Sequence, residues 1–130
     1  MKQKQKQMKH SANQTPIYHA IERLLDWCMP VVERLPKSLP YQRVGTRVID
    51  KTLDALDLAS LSYDCINDEA RANYLGYLIT DVRTVRASLD VLVRNKCISQ
   101  KQQVAYIDLT SGILAQAAAW QCKGLRTAND

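Results

Sequence analysis

Four successive stretches of this chain carry apolar residues at the three- and four-residue spacing of a helix. No stretch alternates polar and apolar residues as a half-buried strand would. Helices of about twenty residues joined by short connections alternate in direction and pack at a small crossing angle. The pattern therefore predicts an all-α protein, an antiparallel up-down-up-down four-helix bundle over residues 15–125.

Capping residues mark the ends of these helices. Thr15 before Pro16 predicts the first start, since threonine caps free amides and proline loses no hydrogen bond at the first helical position. Ser99 with Gln102 fits a capping box for the last helix, and Gly124 predicts its stop. The predicted helices span about 16–35, 41–65, 69–95 and 100–123.

The fourth helix has almost no polar face. No charged residue occurs from Leu109 to Cys122, where one glycine and several alanines stand among larger apolar residues. A helix that only closes a small bundle needs one apolar stripe, so this helix should be covered on a second side as well. The sequence therefore predicts self-association.

The second helix has one buried stripe and two exceptions to it. The stripe is predicted to contain Val48, Ile49, Leu53, Leu56, Ala59 and Tyr63. The opposite side is charged but also carries Leu58 and Leu61. These two leucines are either ordinary exposed residues or part of a subunit contact. The predicted oligomer interface consists of Leu58, Leu61, Leu109, Ile113 and Trp120.

The formal charge of +5 is concentrated at the N-terminus. Lys2, Lys4, Lys6 and Lys9 contribute four of these charges, so residues 11–130 carry only +1. Residues 1–14 are predicted to form a disordered basic tail, because they lack the apolar residues that would drive ordering. The tail either binds nucleic acid or is a solubilising extension. Residues 126–130 are predicted to be a flexible C-terminus.

A row of basic residues follows one flank of the third helix. Arg83, Arg86, Asp90 and Arg94 are three or four residues apart, which aligns them on a helix. Asp90 can pair with Arg86 or Arg94, but one carboxylate cannot neutralise three guanidinium groups. We therefore favour an anionic partner over a purely solvated face.

Catalytic and metal-binding signals are weak. The chain has two histidines, no Glu-x-x-His pattern, no glycine-rich phosphate loop, and four cysteines without Cys-x-x-Cys spacing. Asp50, Asp54 and Asp57 could hold a hard cation, although pairing with Arg47 and Lys51, or with the arginines of a neighbouring subunit, explains them better. We expect a non-enzymatic protein without cofactor or metal. Its longest uncharged run is too short to span a bilayer, which indicates a cytoplasmic protein.

Several short motifs resemble the Avd accessory proteins of diversity-generating retroelements, which share their bundle with ribosomal intervening-sequence proteins. The motifs are Trp27-Cys28-Met29-Pro30, Leu35-Pro36-Lys37, Gly45 with Arg47, the Leu- and Arg-rich segment 78–94, and Gly112-Ile113-Leu114 before Trp120. The resemblance covers residues 17–123. The folded part departs from the family in being barely basic overall.

The resemblance implies a homopentameric barrel that binds a reverse transcriptase and template RNA, and possibly DNA, during mutagenic retrohoming. The positions that match basic sites of the family are Lys37, Arg43, Arg47, Arg83, Arg86 and Arg94. A symmetric ring would repeat these charges and strengthen a modest local field. The alternative is a purely structural module whose apolar surfaces serve oligomeric assembly only.

Overall fold

The computed structural model describes residues 15–129, and this part of the chain contains four α-helices and no strand. We number them α1 (Pro16–Glu33), α2 (Leu39–Asp64), α3 (Asp68–Arg94) and α4 (Gln100–Asn129). The all-α class is therefore confirmed, and the architecture is that of a four-helix bundle. No helix of the described part is both long and apolar enough to cross a membrane.

The caps lie where the sequence predicts them. The Thr15 hydroxyl accepts from the amide of Tyr18 at 3.4 Å. Ser99 and Gln102 form the reciprocal capping box, with distances of 3.1 and 2.9 Å. These contacts satisfy amides that the first turn of a helix leaves without intrahelical partners.

The predicted stop at Gly124 is wrong. α4 continues to Asn129, so residues 126–129 belong to the helix, while residues 1–14 and 130 lie outside the described part. A single glycine inside a helix costs only about 1 kcal/mol relative to alanine. Without a following proline or a left-handed residue, that cost does not end the helix.

Each helix packs on two neighbours: α1 on α2 and α4, and α3 on α2 and α4. Arg86 on α3 bonds Thr110 on α4, and Gln121 on α4 donates to the Ala72 carbonyl on α3 at 3.0 Å. These two bonds show that α3 and α4 run in opposite directions. α2 and α4 share no comparable contact, so they occupy diagonal positions.

The core contains an apolar stripe from every helix. Its largest fully buried side chains include Ile21, Leu24, Leu75, Leu78, Leu89, Leu92, Tyr106 and Ile113. The prediction that Leu53 belongs to this core is wrong, because its side chain is 43% exposed. Thr52 occupies the inward position instead, and its hydroxyl is satisfied by the Val48 carbonyl at 2.7 Å. Leu53 therefore faces outward, about 100° further round the helix.

Gly45 allows the end of α1 and the start of α2 to approach closely. A Cβ at this position would lie 2.8 Å from both Val32 Cγ1 and Leu35 Cδ1. The Pro-rich connection from α1 to α2 thus folds back tightly. It holds residues 34–38 at the same end of the bundle as the start of α2.

Candidate nucleic-acid interface

The charges of the folded part are separated along the bundle. Residues 27–49 and 82–107 hold nine Lys or Arg residues and two acidic residues, a net charge of +7. Residues 15–26, 50–81 and 108–123 hold four basic and ten acidic residues, a net charge of −6. The small overall charge of the folded part therefore conceals a strongly basic half and a strongly acidic half.

Packing brings the two basic segments together. The approach of Val32 and Leu35 to Gly45 joins the end of α1 to the start of α2. The rings of Trp27 and Tyr106 lie 5.6 Å apart, which joins the late part of α1 to the early part of α4. The connection between α3 and α4 completes this end of the bundle.

Six exposed cations lie at this end of the bundle, which we call the basic end. They are Arg34, Lys37, Arg43, Arg94, Lys96 and Lys101. Within residues 15–123, none of the six lies in an ion pair. Because no neighbouring carboxylate neutralises them, their positive potential is available to an anion in solvent.

The turn from α3 into α4 shapes the surface of the basic end. Lys96 adopts a left-handed backbone conformation, with φ of 61°, directly after the end of α3. Beside it, an open cleft of about 570 Å³ runs past Arg94 and Lys96 to Ser99 and Gln100. The cleft places two cations next to polar groups at the start of α4, an arrangement that suits a phosphate backbone.

The predicted binding residues fall into separate places. Lys37, Arg43 and Arg94 lie at the basic end, and Arg47 is exposed one turn further along α2. Arg83 is exposed halfway along α3. Helical spacing does not predict Arg34, Lys96 and Lys101, because they occupy helix ends and a turn where no such spacing links them.

Arg86 differs from the other predicted cations because it is turned onto α4. Its Nε donates to Thr110 Oγ1 at 2.9 Å, and its Nη2 donates to the Ile107 carbonyl and Ser111 Oγ at 3.1 and 2.6 Å. The expected ion pair of Asp90 with Arg86 or Arg94 does not occur among the described ion pairs. Asp90 instead accepts a hydrogen bond from the Tyr106 hydroxyl.

The predicted oligomer-interface residues are unequal in exposure. Ile113 is fully buried inside one chain and has no surface to offer a second copy. Leu58, Leu109 and Trp120 are half-buried, whereas Leu61 is 48% exposed. The Arg71 guanidinium lies 5.8 Å from the centre of the Trp120 ring.

Between Val104 and Cys122 the outer face of α4 is uncovered in one chain, and Asp108 is its one charged residue. Its other exposed residues include Val104, Ser111, Gly112, Ala115, Ala118 and Ala119. Val104 is 62% exposed. The apolar second side that the sequence indicates is therefore present on the surface.

One buried thiol and one carboxylate pair of the described part bear on nucleophilic and metal chemistry. Burial raises the pKa of the Cys28 thiol to about 12, which keeps this sulfur protonated near neutral pH. Lys51 Nζ lies 3.8 Å from Asp54 and 3.7 Å from Asp81. Burial raises the pKa of Asp81, and the charge of Lys51 opposes that shift. Among the described residues, no group of three His, Cys, Asp or Glu side chains is placed to hold a metal.

Comparison with known protein families, with curated proteins and with solved structures finds no match to this chain. The described part of the chain is an all-α bundle with a basic end. The outer face of α4 is uncovered in one chain.

Proposed function

We propose that this chain is a non-catalytic accessory protein that binds nucleic acid through its basic end. The observation that carries the proposal is the group of six exposed cations at one end of the bundle, none of which lies in an ion pair with another described residue. Lysine and arginine bind phosphates by displacing condensed counterions, and this requires neither a pocket nor a catalytic group. The acidic half would keep the nucleic acid away from the remaining surface and so fix its position.

We further propose that the nucleic acid is the template RNA or cDNA of a diversity-generating retroelement, handled together with its reverse transcriptase in the cytoplasm. The support for this step is the resemblance of residues 17–123 to Avd proteins. Helices that follow one another in the chain pack together, as the arrangement of that family requires. The resemblance implies five copies, which would repeat the basic end around a ring and multiply its field.

Neutralising the basic end should weaken nucleic-acid binding. Lys96→Gln/Lys101→Gln removes two phosphate contacts, so we expect affinity for duplex DNA to fall about tenfold near 0.1 M salt. The slope of log affinity against log salt should become shallower by about 2. Fluorescence anisotropy with a labelled duplex and a structured RNA of matched length, across a salt series, measures both quantities.

The matched control is Arg23→Gln/Lys123→Gln, which removes two exposed charges from the acidic half. We expect this variant to keep the affinity and salt slope of the parent protein to within about twofold. Equal weakening by both double variants would refute a localised site. Binding that ignores salt would refute phosphate neutralisation altogether.

A second candidate function is a structural module, which the uncovered apolar face of α4 favours. Ala115→Glu places a charge in that face, so an assembly that buries it should dissociate at least tenfold more readily. Light scattering measures the mass, with Arg23→Glu as a control that adds the same side chain elsewhere. If the Ala115 variant is monomeric and retains full nucleic-acid affinity, assembly and binding are separate functions. An unchanged mass would exclude α4 as the contact.

A further inference from the structure

The outward face of α2 carries four aspartates and two leucines. We call it the acidic face, and it consists of Asp50, Leu53, Asp54, Asp57, Leu61 and Asp64. Leu53 is 43% exposed and Leu61 is 48% exposed. In the part of the chain that the structure describes, Asp54 is paired with Lys51, whereas Asp50, Asp57 and Asp64 lie in no ion pair.

The chemistry of the acidic face determines what can cover it. The uncharged stretch of α4 from Leu109 to Cys122 offers no cation, so packing it here in a second copy would desolvate several carboxylates without a partner. A suitable occupant is therefore strongly cationic. The segment that precedes Thr15 in this chain has that composition, with Lys2, Lys4, Lys6 and Lys9 and no acidic residue.

We propose that residues 1–14 bind along the acidic face of their own chain. The segment joins the bundle at Thr15, which lines the same cleft as Tyr63, the residue before Asp64. The cleft is about 470 Å³ in volume and also contacts α4 at Ala119 and Trp120. The lysines are therefore attached beside one end of the acidic face, in the acidic half of the molecule.

The lengths of the two charged rows agree. Lys2 and Lys9 are separated by about 23 Å in an extended chain. Asp50 and Asp64 are separated by about 21 Å along a helix. The chain between Lys9 and Thr15 spans up to about 20 Å, which is ample for Lys9 to reach Asp64.

The contact would be electrostatic and easily reversed. Each exposed ion pair is weak and is screened by salt, but tethering holds the lysines at a high effective concentration near the carboxylates. The tail would neutralise part of the acidic half and leave the basic end open. This inference is independent of the proposed function, since it requires no nucleic acid.

Carbodiimide cross-linking of the full-length chain, followed by peptide mass spectrometry, tests the contact. This reagent joins a lysine to a carboxylate only when they touch. We expect links from Lys2, Lys4, Lys6 or Lys9 to the acidic face at about 20 mM salt, reduced at least fivefold at about 500 mM. Asp50→Asn/Asp57→Asn/Asp64→Asn should remove most of them. The matched control, Asp26→Asn/Glu33→Gln/Asp108→Asn, also removes three exposed carboxylates and should retain them.

Mixing ¹⁴N- and ¹⁵N-labelled protein identifies the source of the lysines. Links within a single isotopic chain support the proposal, whereas predominantly mixed links would assign the acidic face to a second copy and overturn it. Links from Lys96 or Lys101 of another copy would also overturn it. Equal labelling of the acidic face and the control carboxylates would overturn it too, as would an absence of links at low salt. Circular dichroism of both triple variants establishes that they remain folded.

Discussion

Replacing Arg86 with alanine will lower the free energy of unfolding by about 2–3 kcal/mol, whereas replacing Arg83 will change it by less than about 0.5 kcal/mol. Both residues lie on α3 and both are arginines, but only Arg86 reaches across to α4. Its guanidinium bonds Thr110, Ser111 and the Ile107 carbonyl. Removing it leaves these acceptors without their charged donor and breaks a cross-link between two helices.

Urea unfolding of Arg83→Ala, Arg86→Ala and Arg86→Lys measures these differences. Lysine keeps the charge but cannot reproduce the planar donor fork, so Arg86→Lys should recover less than half of the lost stability. If Arg86→Ala is as stable as Arg83→Ala, the hydrogen bonds to α4 do not contribute in solution. Complete rescue by lysine would mean that charge matters and donor geometry does not.

The same comparison separates stability from binding. The Arg86 guanidinium donates hydrogen bonds to α4, so few of its N–H groups remain for a phosphate. Arg86→Ala should therefore reduce nucleic-acid affinity only when the unfolded fraction of this variant becomes appreciable. Substitutions at Lys96 and Lys101 should show the reverse pattern, with weaker binding and little change in stability. A loss of nucleic-acid affinity in fully folded Arg86→Ala would show that Arg86 belongs to the binding surface.

The sequence predicts the helices well because their signals are local. Thr15 before Pro16 and the pair Ser99 and Gln102 specify helix starts through contacts within one turn, and the structure contains both caps. Gly124 misleads because a glycine stops a helix only when the backbone turns left-handed there. The prediction for Leu53 is wrong because the neighbouring Thr52 occupies the inward position, where the Thr52 hydroxyl donates to the Val48 carbonyl of the same helix.

The candidate site is less predictable, since it is made by packing. Arg34 and Lys96 lie in two connections that are far apart in the sequence, and Lys101 lies in the first turn of α4. Only the packing of the helices places all three at one end of the bundle. Arg83 and Arg86 look equivalent on a helical projection of α3. They differ because Arg86 lies beside the groove against α4, where Thr110 and Ser111 supply acceptors. No spacing rule within α3 contains that information.

Tyr106→Ala will have the largest effect on stability, a loss of about 3–5 kcal/mol. Tyr106 is completely buried and contacts two other helices. Its ring packs 5.6 Å from Trp27 on α1, and its hydroxyl donates to Asp90 on α3. Tyr106→Phe keeps the ring contact and loses only the hydrogen bond, so it should cost about 1–2 kcal/mol. The free energy of unfolding of a typical domain is about 5–15 kcal/mol. The alanine variant should therefore be close to unfolding at moderate temperature.

Alkaline pH provides a test that is specific to the hydroxyl of Tyr106. Burial, followed by the bond to Asp90, raises its pKa above the ordinary value of 10.0. The folded protein then resists ionisation while the unfolded chain ionises, so stability present below pH 10 is lost as the pH rises above it. Cys28, whose pKa burial raises from 9.0 to about 12, adds a similar loss from pH 9 in both proteins. The difference between Tyr106→Phe and the parent in urea should therefore shrink above pH 10. A difference that stays constant from pH 7 to 11 would show that the hydroxyl is not held in a protonated state by the fold.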